Sequence, residues 1–330
     1  MKTILMRLWL LCALAAGMCA CQSILRDGRT SLGRPYEMLV ICPQAEWDGA
    51  VGESIRSLLG ASIPRMNTPE HYFDINHSTK QGMNDLLNKQ SNILTVSFDA
   101  ERSDTRMLVQ YDYTAKPQII VSLKAPSPEA AVEYLSENGE SLMRVFEMAE
   151  RERDLALFER LRDDAASDIF REYTGLGMTV LQGYKRANTV DDSILWLRKD
   201  YNRMSQDIFA FTYPCTDRTD LTAEWLVRAI DNRLAKIPGP SAGSYMQTVK
   251  DIEPIYSTFR IGDRYWFELR GLWELGGNVD GNFMGGPFVS YSTIDMQTAE
   301  ITTIVFSVYA PGLDKRDYIR EMEHQIYTIE

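Results

Sequence analysis

Arg270-Gly271-Leu272-Trp273-Glu274 places a guanidinium, an indole and a carboxylate close together, and a glycine-rich run follows at Gly276-Gly277, Gly281 and Gly285-Gly286. Glycines between two strands can bring backbone N–H groups close to a ligand. Arg270, Trp273 and Glu274 would then form a charged and aromatic wall. The run is neither a G-x-G-x-x-G before a helix nor a Walker loop. The competing reading is a long hairpin connection in which Arg270 pairs with Glu274. A second segment, Gly243-Ser244-Tyr245-Met246, offers a hydroxyl and a phenol. Ser244 is a nucleophile only beside a base, and its context is not the strained G-x-S-x-G elbow. Glu268 and Glu274 share a strand face, but their spacing puts them about 20 Å apart along a straight strand. A glycosidic acid/base pair needs a much shorter separation.

Cys21 carries a different chemistry. Lys2 and Arg7 form a basic start, Leu8 to Ala16 an apolar run, and Ala20 is a small residue before Cys21. This is the pattern of a cleaved export signal at residues 1–20, too short in its apolar run to span a bilayer comfortably. The thiol of Cys21 is the expected lipid acceptor. A buried acyl chain contributes about 0.8 kcal/mol per methylene, so several chains would give lasting attachment. Residues 22–26, Gln-Ser-Ile-Leu-Arg, hold no acidic cluster. The expected address is the periplasmic face of an outer membrane.

Composition narrows the chemistry further. The chain has 330 residues and a net charge of −11, and its leader contains bases but no acids, so the mature chain is more acidic still. That balance disfavours nucleic acid. The three histidines, His71, His77 and His324, are too few for a multi-histidine metal or triad site. No metal and no cofactor is expected. Cys42 and Cys215 remain after the leader and the anchor; in an oxidising compartment they could pair, and otherwise they are small buried thiols.

The elements that must position these residues follow from patterning. Residues 21–34 read as a tether. The run Glu37 to Cys42 is a strand, and Val51 to Leu59 has helical spacing ended by Gly60. Strands are predicted at 92–98, 107–111 and 118–123. A long helix starts at Ser127-Pro128, with Leu135, Leu142, Phe146 and Ala149 on one face and a bend or break expected at Asn138-Gly139. Residues 178–181 and 194–197 read as a hairpin-like insert. A strand at 207–215, a helix to Leu234, strands at 265–269, 288–294 and 301–309, and a last helix from Asp314 complete the chain. The interval from Cys42 to Ile63 nearly equals that from Cys215 to Ile237. The fold class is therefore α+β, as two related strand–helix–strands–helix halves, 35–166 and 167–330, with antiparallel or mixed sheets.

Six segments together resemble a known family: Gly33-Arg34-Pro35-Tyr36-Glu37, Ser244-Tyr245-Met246, Arg270 to Glu274, Met284-Gly285-Gly286-Pro287-Phe288-Val289-Ser290, Tyr309-Ala310-Pro311 and Lys315-Arg316-Asp317-Tyr318. The family is a group of Gram-negative lipoproteins known as domain of unknown function 4837, and the resemblance spans nearly the whole mature chain. It implies an envelope lipoprotein and brings no activity or catalytic residue. The expected role is non-catalytic: a binding or assembly factor, held by its lipid and meeting an envelope protein partner. The alternative is an envelope-polymer hydrolase using carboxylates near the loop 276–286. Ser244, Tyr245, Arg270, Trp273, Glu274, Gly285 and Gly286 are the candidate ligand or partner loop.

Overall fold

The run Glu37–Ile41 forms β1, whose Met38, Leu39 and Val40 are all buried. This is the apolar signature of a strand covered on both faces. The computed structural model describes residues 30–188 and 192–330. The leader, Cys21 and the first part of the tether lie outside these residues. From Thr30 the expected tether is already held: Thr30 bridges to Lys116 and Leu32 to Gln90.

The chain divides into two compact units, one holding residues to Ser54 with Ile75–Asn138, the other Ile55–Asp74 with Gly139–Glu330. In the first unit α1 (Ala50–Leu59) begins, and β2 (Asp74–Ser78), β3 (Asn92–Phe98), β4 (Arg106–Tyr111) and β5 (Ile119–Ala125) follow. With β1 they make a five-stranded sheet, order β2-β1-β3-β5-β4. β1, β3 and β5 are parallel, and β4 is antiparallel to β5, so the sheet is mixed. α2 (Pro128–Leu161) then begins, its first turn capped by the Ser127 hydroxyl accepting from the Ala130 N–H at 3.3 Å.

No break occurs at Asn138-Gly139. Asn138 Nδ2 donates to the Tyr134 carbonyl at 3.1 Å, and the two Leu58 methyls lie 3.1 Å from where a Gly139 side chain would start. Gly139 thus marks a close approach and not a helix stop.

In the second unit come α3 (Asp164–Thr174), β6 (Lys185–Arg186), β7 (Leu195–Tyr201), β8 (Met204–Pro214) and α4 (Ala223–Leu234). β9 (Ser244–Thr248), β10 (Ile255–Ile261), β11 (Arg264–Gly277), β12 (Gly285–Asp295), β13 (Glu300–Tyr309) and α5 (Arg316–Gln325) complete it. The insert differs from expectation: β7 pairs with Lys185–Arg186, whereas Leu181 bridges Arg162. The eight strands form one antiparallel sheet, β10-β11-β12-β13-β8-β7-β6, with β9 also on β11.

Both faces of this sheet are covered. Phe170 of α3 and Ile319 and Met322 of α5 pack with Trp266, Tyr291 and Phe306 on one face. Leu226, Ile230 and Leu234 of α4 pack with Phe209, Phe211 and Phe288 on the other. Each such side chain contributes about 1.5–3 kcal/mol by leaving water. Coverage on both sides is why β8, β12 and β13 are buried along most of their length, their Ser, Thr, Gln and Asp residues included. Residues 55–74 join this unit through Glu70, whose Oε2 accepts from the Lys315 and Arg316 N–H groups at 2.7 and 2.6 Å. A carboxylate there meets the orphan donors and positive end of α5.

The order strand, helix, strands, helix recurs in both halves, but the pairing does not. β1 neighbours a parallel β3, while β8 lies antiparallel between β7 and β13. Cys42 and Cys215, read as a candidate disulfide, are both free. Cys42 is packed into the first unit's core, where burial and then Glu46 push its thiol up to about 11. Cys215 directly follows β8 in the second unit, its thiol donating to the Asp217 carbonyl at 3.5 Å. Among the described residues no helix is long and apolar enough to cross a membrane.

Candidate functional site

Strand pairing brings most of the expected loop residues together. Glu274 lies opposite Gln247 on β9 and Gly285 on β12; Trp273 lies opposite Gly286; Gly276 and Gly277 lie opposite Tyr245 and Ser244. Arg270 to Gly277 is therefore strand, not the wall of a loop, and the hairpin connection starts at Asn278. Period-two alternation then separates the side chains. Trp273 enters the cluster under α4, while Arg270 turns to the opposite face and meets α5. No single cleft collects Arg270, Trp273, Glu274 and Ser244.

Each has a local task. Ser244 Oγ donates to the Ser241 carbonyl at 2.7 Å and accepts from the Ser241 N–H at 3.2 Å, closing the turn before β9. Glu274 accepts from Gln247 Nε2 at 3.1 Å and is not paired with Arg270. Their spacing of four strand residues corresponds to about 13 Å. The Tyr245 ring crosses Gly276 and Gly277, where added side chains would start 3.0 Å from it. Trp273 Nε1 donates to the Val308 carbonyl at 3.2 Å across Gly286, where a Cβ would collide with that oxygen. At Gly285 a Cβ would lie 2.7 Å from the Trp273 carbonyl. These glycines serve close packing between strands, not a phosphate or anion cradle.

Arg270 anchors a buried ion network. Its guanidinium meets Glu323 at 2.5 Å and Glu268 at 3.7 Å; Arg320 meets Glu323 at 3.3 Å and Glu147 at 3.0 Å. Burial alone would lower the Arg270 pKa, but Glu323 and Glu268 raise it and keep the charge fixed. Burial would push the Glu323 carboxyl up, but Arg270 and Arg320 outweigh it and hold it below the usual carboxylate range. Glu268 goes the other way: burial raises it despite Arg270. Every member is committed to a protein partner, so this network positions α5 on the sheet.

One concave feature of the second unit lies on the α4 face. β7, β8, β11 and the segment 237–246 enclose a cleft of about 310 Å³. Trp196, Phe209, Met246, Trp273 and Met284 line it with apolar surface, and Asp207 is its carboxylate. Asp207 is only 5% exposed. Its Oδ1 accepts from Trp196 Nε1 at 2.7 Å and its Oδ2 from Ser205 Oγ at 3.0 Å. Arg198, directly opposite in the β7–β8 register, approaches only to 3.6 Å. Its Nε is held by Asp200 at 2.9 Å instead. Burial raises the Asp207 carboxyl, and Arg198, Trp196 and Ser205 pull it back only in part. Ser307, opposite Asp207 on β13, is fully buried, and its hydroxyl finds no partner among the described residues. An aromatic cavity with few convergent polar groups and a perturbed carboxylate has the makeup of a ligand site.

A family model described as a domain of unknown function (DUF4837) matches residues 163–328, half of the chain. The chain belongs to the DUF4837 family. A different model, domain of unknown function DUF8532, matches residues 31–159. The DUF4837 match thus falls on the second half, and the first half has a model of its own. No curated protein matches the chain by sequence. Among solved structures it is similar to the Saccharomyces cerevisiae Ran-binding protein Mog1p, at 13% identity and a TM-score of 0.33, over 47% of this chain and 89% of that one. It is also similar to Mycobacterium tuberculosis LpqN, described as involved in cell envelope biogenesis, at 11% identity and a TM-score of 0.26, over 46% and 79%. At such TM-scores neither likeness bears on function.

The cleft lies wholly within the DUF4837 region, yet sequence reading passes over Asp207, Trp196 and Arg198. The usable signal is small: one carboxylate opening the apolar strand Asp207-Ile208-Phe209-Ala210-Phe211, beside an indole in Leu195-Trp196-Leu197.

Proposed function

We propose that this chain is a lipid-anchored cell-envelope protein whose DUF4837 unit binds a small ligand without transforming it. The observation that carries the reading is the cleft around Asp207: a preformed, aromatic-walled cavity with one carboxylate. Its donors are spent on holding that carboxylate, and the hydroxyl and carboxylates a hydrolase would use, Ser244 and Glu274, are occupied by Ser241 and Gln247. The anchor rests on Cys21 and the leader before it, and the outer-membrane address on the residues that follow.

Two measurements test the halves of this proposal. Membrane fractionation of Cys21→Ala should move the protein into the soluble fraction; retention on membranes overturns the anchor. For the cleft, a fragment mixture is added to the mature chain and followed through the indole N–H signals of Trp196 and Trp273. Shifts at both that vanish in Met246→Trp, which fills the cavity, support binding there. Shifts that survive this variant, or no shifts at all, overturn it.

A further inference from the structure

We propose that the cleft selects a small organic cation, an amine or quaternary ammonium on an apolar body; this rests on the reading of the cleft as a ligand site.

Three features point to that chemistry. First, the hydrogen-bonding capacity of Asp207 is incompletely met, and among the described residues its charge is met only by Arg198 at 3.6 Å. Each carboxylate oxygen has about two acceptor sites, and each takes one side-chain donor here, Trp196 on Oδ1 and Ser205 on Oδ2. Arg198, at 3.6 Å, is beyond hydrogen-bond reach and is held instead by Asp200. A ligand N–H or ammonium brought against Asp207 would complete a desolvated charge, and such compensation is what makes burying a carboxylate tolerable.

Second, the wall already accepts a cation. The Arg198 guanidinium sits over the Trp196 ring at 5.6 Å from its centroid. Aromatic faces attract cations, and more strongly where water is excluded. Trp273, 5% exposed, adds a second indole, and Met246 and Met284 add polarizable surface suited to varied apolar bodies. Third, the chain as a whole is acidic, at −11, which favours the approach of cations over anions.

An anionic ligand fits poorly, because it would meet the carboxylate of Asp207 and would compete with Asp200 and Asp207 for Arg198. A neutral polyol could hydrogen-bond Asp207 but would leave its charge unmet. A volume of about 310 Å³ lies at the small end of ligand cavities, which limits the ligand to one ring or a short chain beside its charged group.

The test uses the mature chain and three probes of one shape: 2-phenylethylamine, 2-phenylethanol and 3-phenylpropionate. Affinities come from calorimetry, and the site is located by the Trp196 and Trp273 indole signals. The amine should bind at least about ten-fold more tightly than the alcohol, with no measurable binding of the acid. Asp207→Asn should remove the preference for the amine while leaving alcohol binding in place. Arg198→Gln, which takes away the resident cation, should strengthen amine binding. Alcohol binding equal to the amine, or an amine preference that survives Asp207→Asn, overturns the charge selection while leaving the cleft as a ligand site. If none of the three moves the indole signals, both readings fall.

Discussion

Gly286 shows what a single residue does in this sheet. The Trp273 indole reaches the Val308 carbonyl only because nothing projects from Gly286. Gly286→Ala would set a methyl group against that oxygen and 3.2 Å from Trp273 Nε1. Overpacking of this kind costs about 1–3 kcal/mol. Urea unfolding should show a loss in that range, with Trp273 emission shifted because its ring is displaced from the cleft wall. A stability within 0.5 kcal/mol of the parent, on the order expected for surface changes, would mean that β12 and β13 part without cost. The glycines were legible in the sequence as unusual, but not their purpose. A glycine in a ligand loop and a glycine under a tryptophan look alike until the strand register is known. Asp207 was illegible for a related reason: its neighbours Trp196, Arg198 and Ser307 come from other strands, and Ser205 from two residues away on the same strand face.

Alternation along β11 decides which partners its residues find. Trp266, Glu268 and Arg270 face α5, and Leu269 and Trp273 face α4. Strand position was readable from apolar patterning near 265–269, but the strand runs on to Gly277, because β9 and β12 both pair with its glycine-rich end. No local pattern announces that. The network at α5 gives a measurable consequence. Glu323→Leu removes the closest partner of Arg270 and should cost up to about 3–5 kcal/mol, because the buried guanidinium is left with only the more distant Glu268 at 3.7 Å. Arg270→Met combined with Glu323→Leu should restore most of it, and Arg320 keeps Glu147 in both variants. A double variant as unstable as the single one would show that the pair does more than satisfy its own charges. The network also sets an acid limit. Glu323 is held below its ordinary value of 4.5 in the fold, so the unfolded chain takes up its proton more readily. Its contribution is full above about pH 4.5 and falls as the pH drops through the folded value. Denaturation midpoints measured from pH 6 to pH 3 should fall less steeply in the Arg270→Met/Glu323→Leu variant than in the parent. Equal slopes would assign the acid sensitivity elsewhere.

For the whole molecule, the α+β class and the recurring order of elements were readable from periodicity. The pairing was not, since parallel and antiparallel neighbours are chosen by contacts far apart in sequence. The second unit is also not continuous: it takes in residues 55–74, although the DUF4837 match begins only at 163. Glu70 is the reason this matters. Its carboxylate, 6% exposed, is the acceptor for the first amides of α5, and Arg316 returns the contact by donating to the His71 carbonyl at 3.1 Å and Asp74 at 3.0 Å. A fragment of residues 163–330 keeps every strand of the eight-stranded sheet but loses this cap. Loss of a helix-capping acceptor costs about 0.5–2 kcal/mol, and α5 carries Arg320 and Glu323 of the Arg270 network. The fragment should therefore be less stable than the full chain, and hydrogen exchange at the Lys315 and Arg316 amides should be faster. Glu70→Ala in the full chain should reproduce the faster exchange at those two amides, whereas Glu70→Gln, which retains an acceptor, should reproduce only part of it. Unchanged protection in Glu70→Ala would show that α5 is held by its apolar face alone, and the early segment would then be dispensable to the unit that contains the cleft.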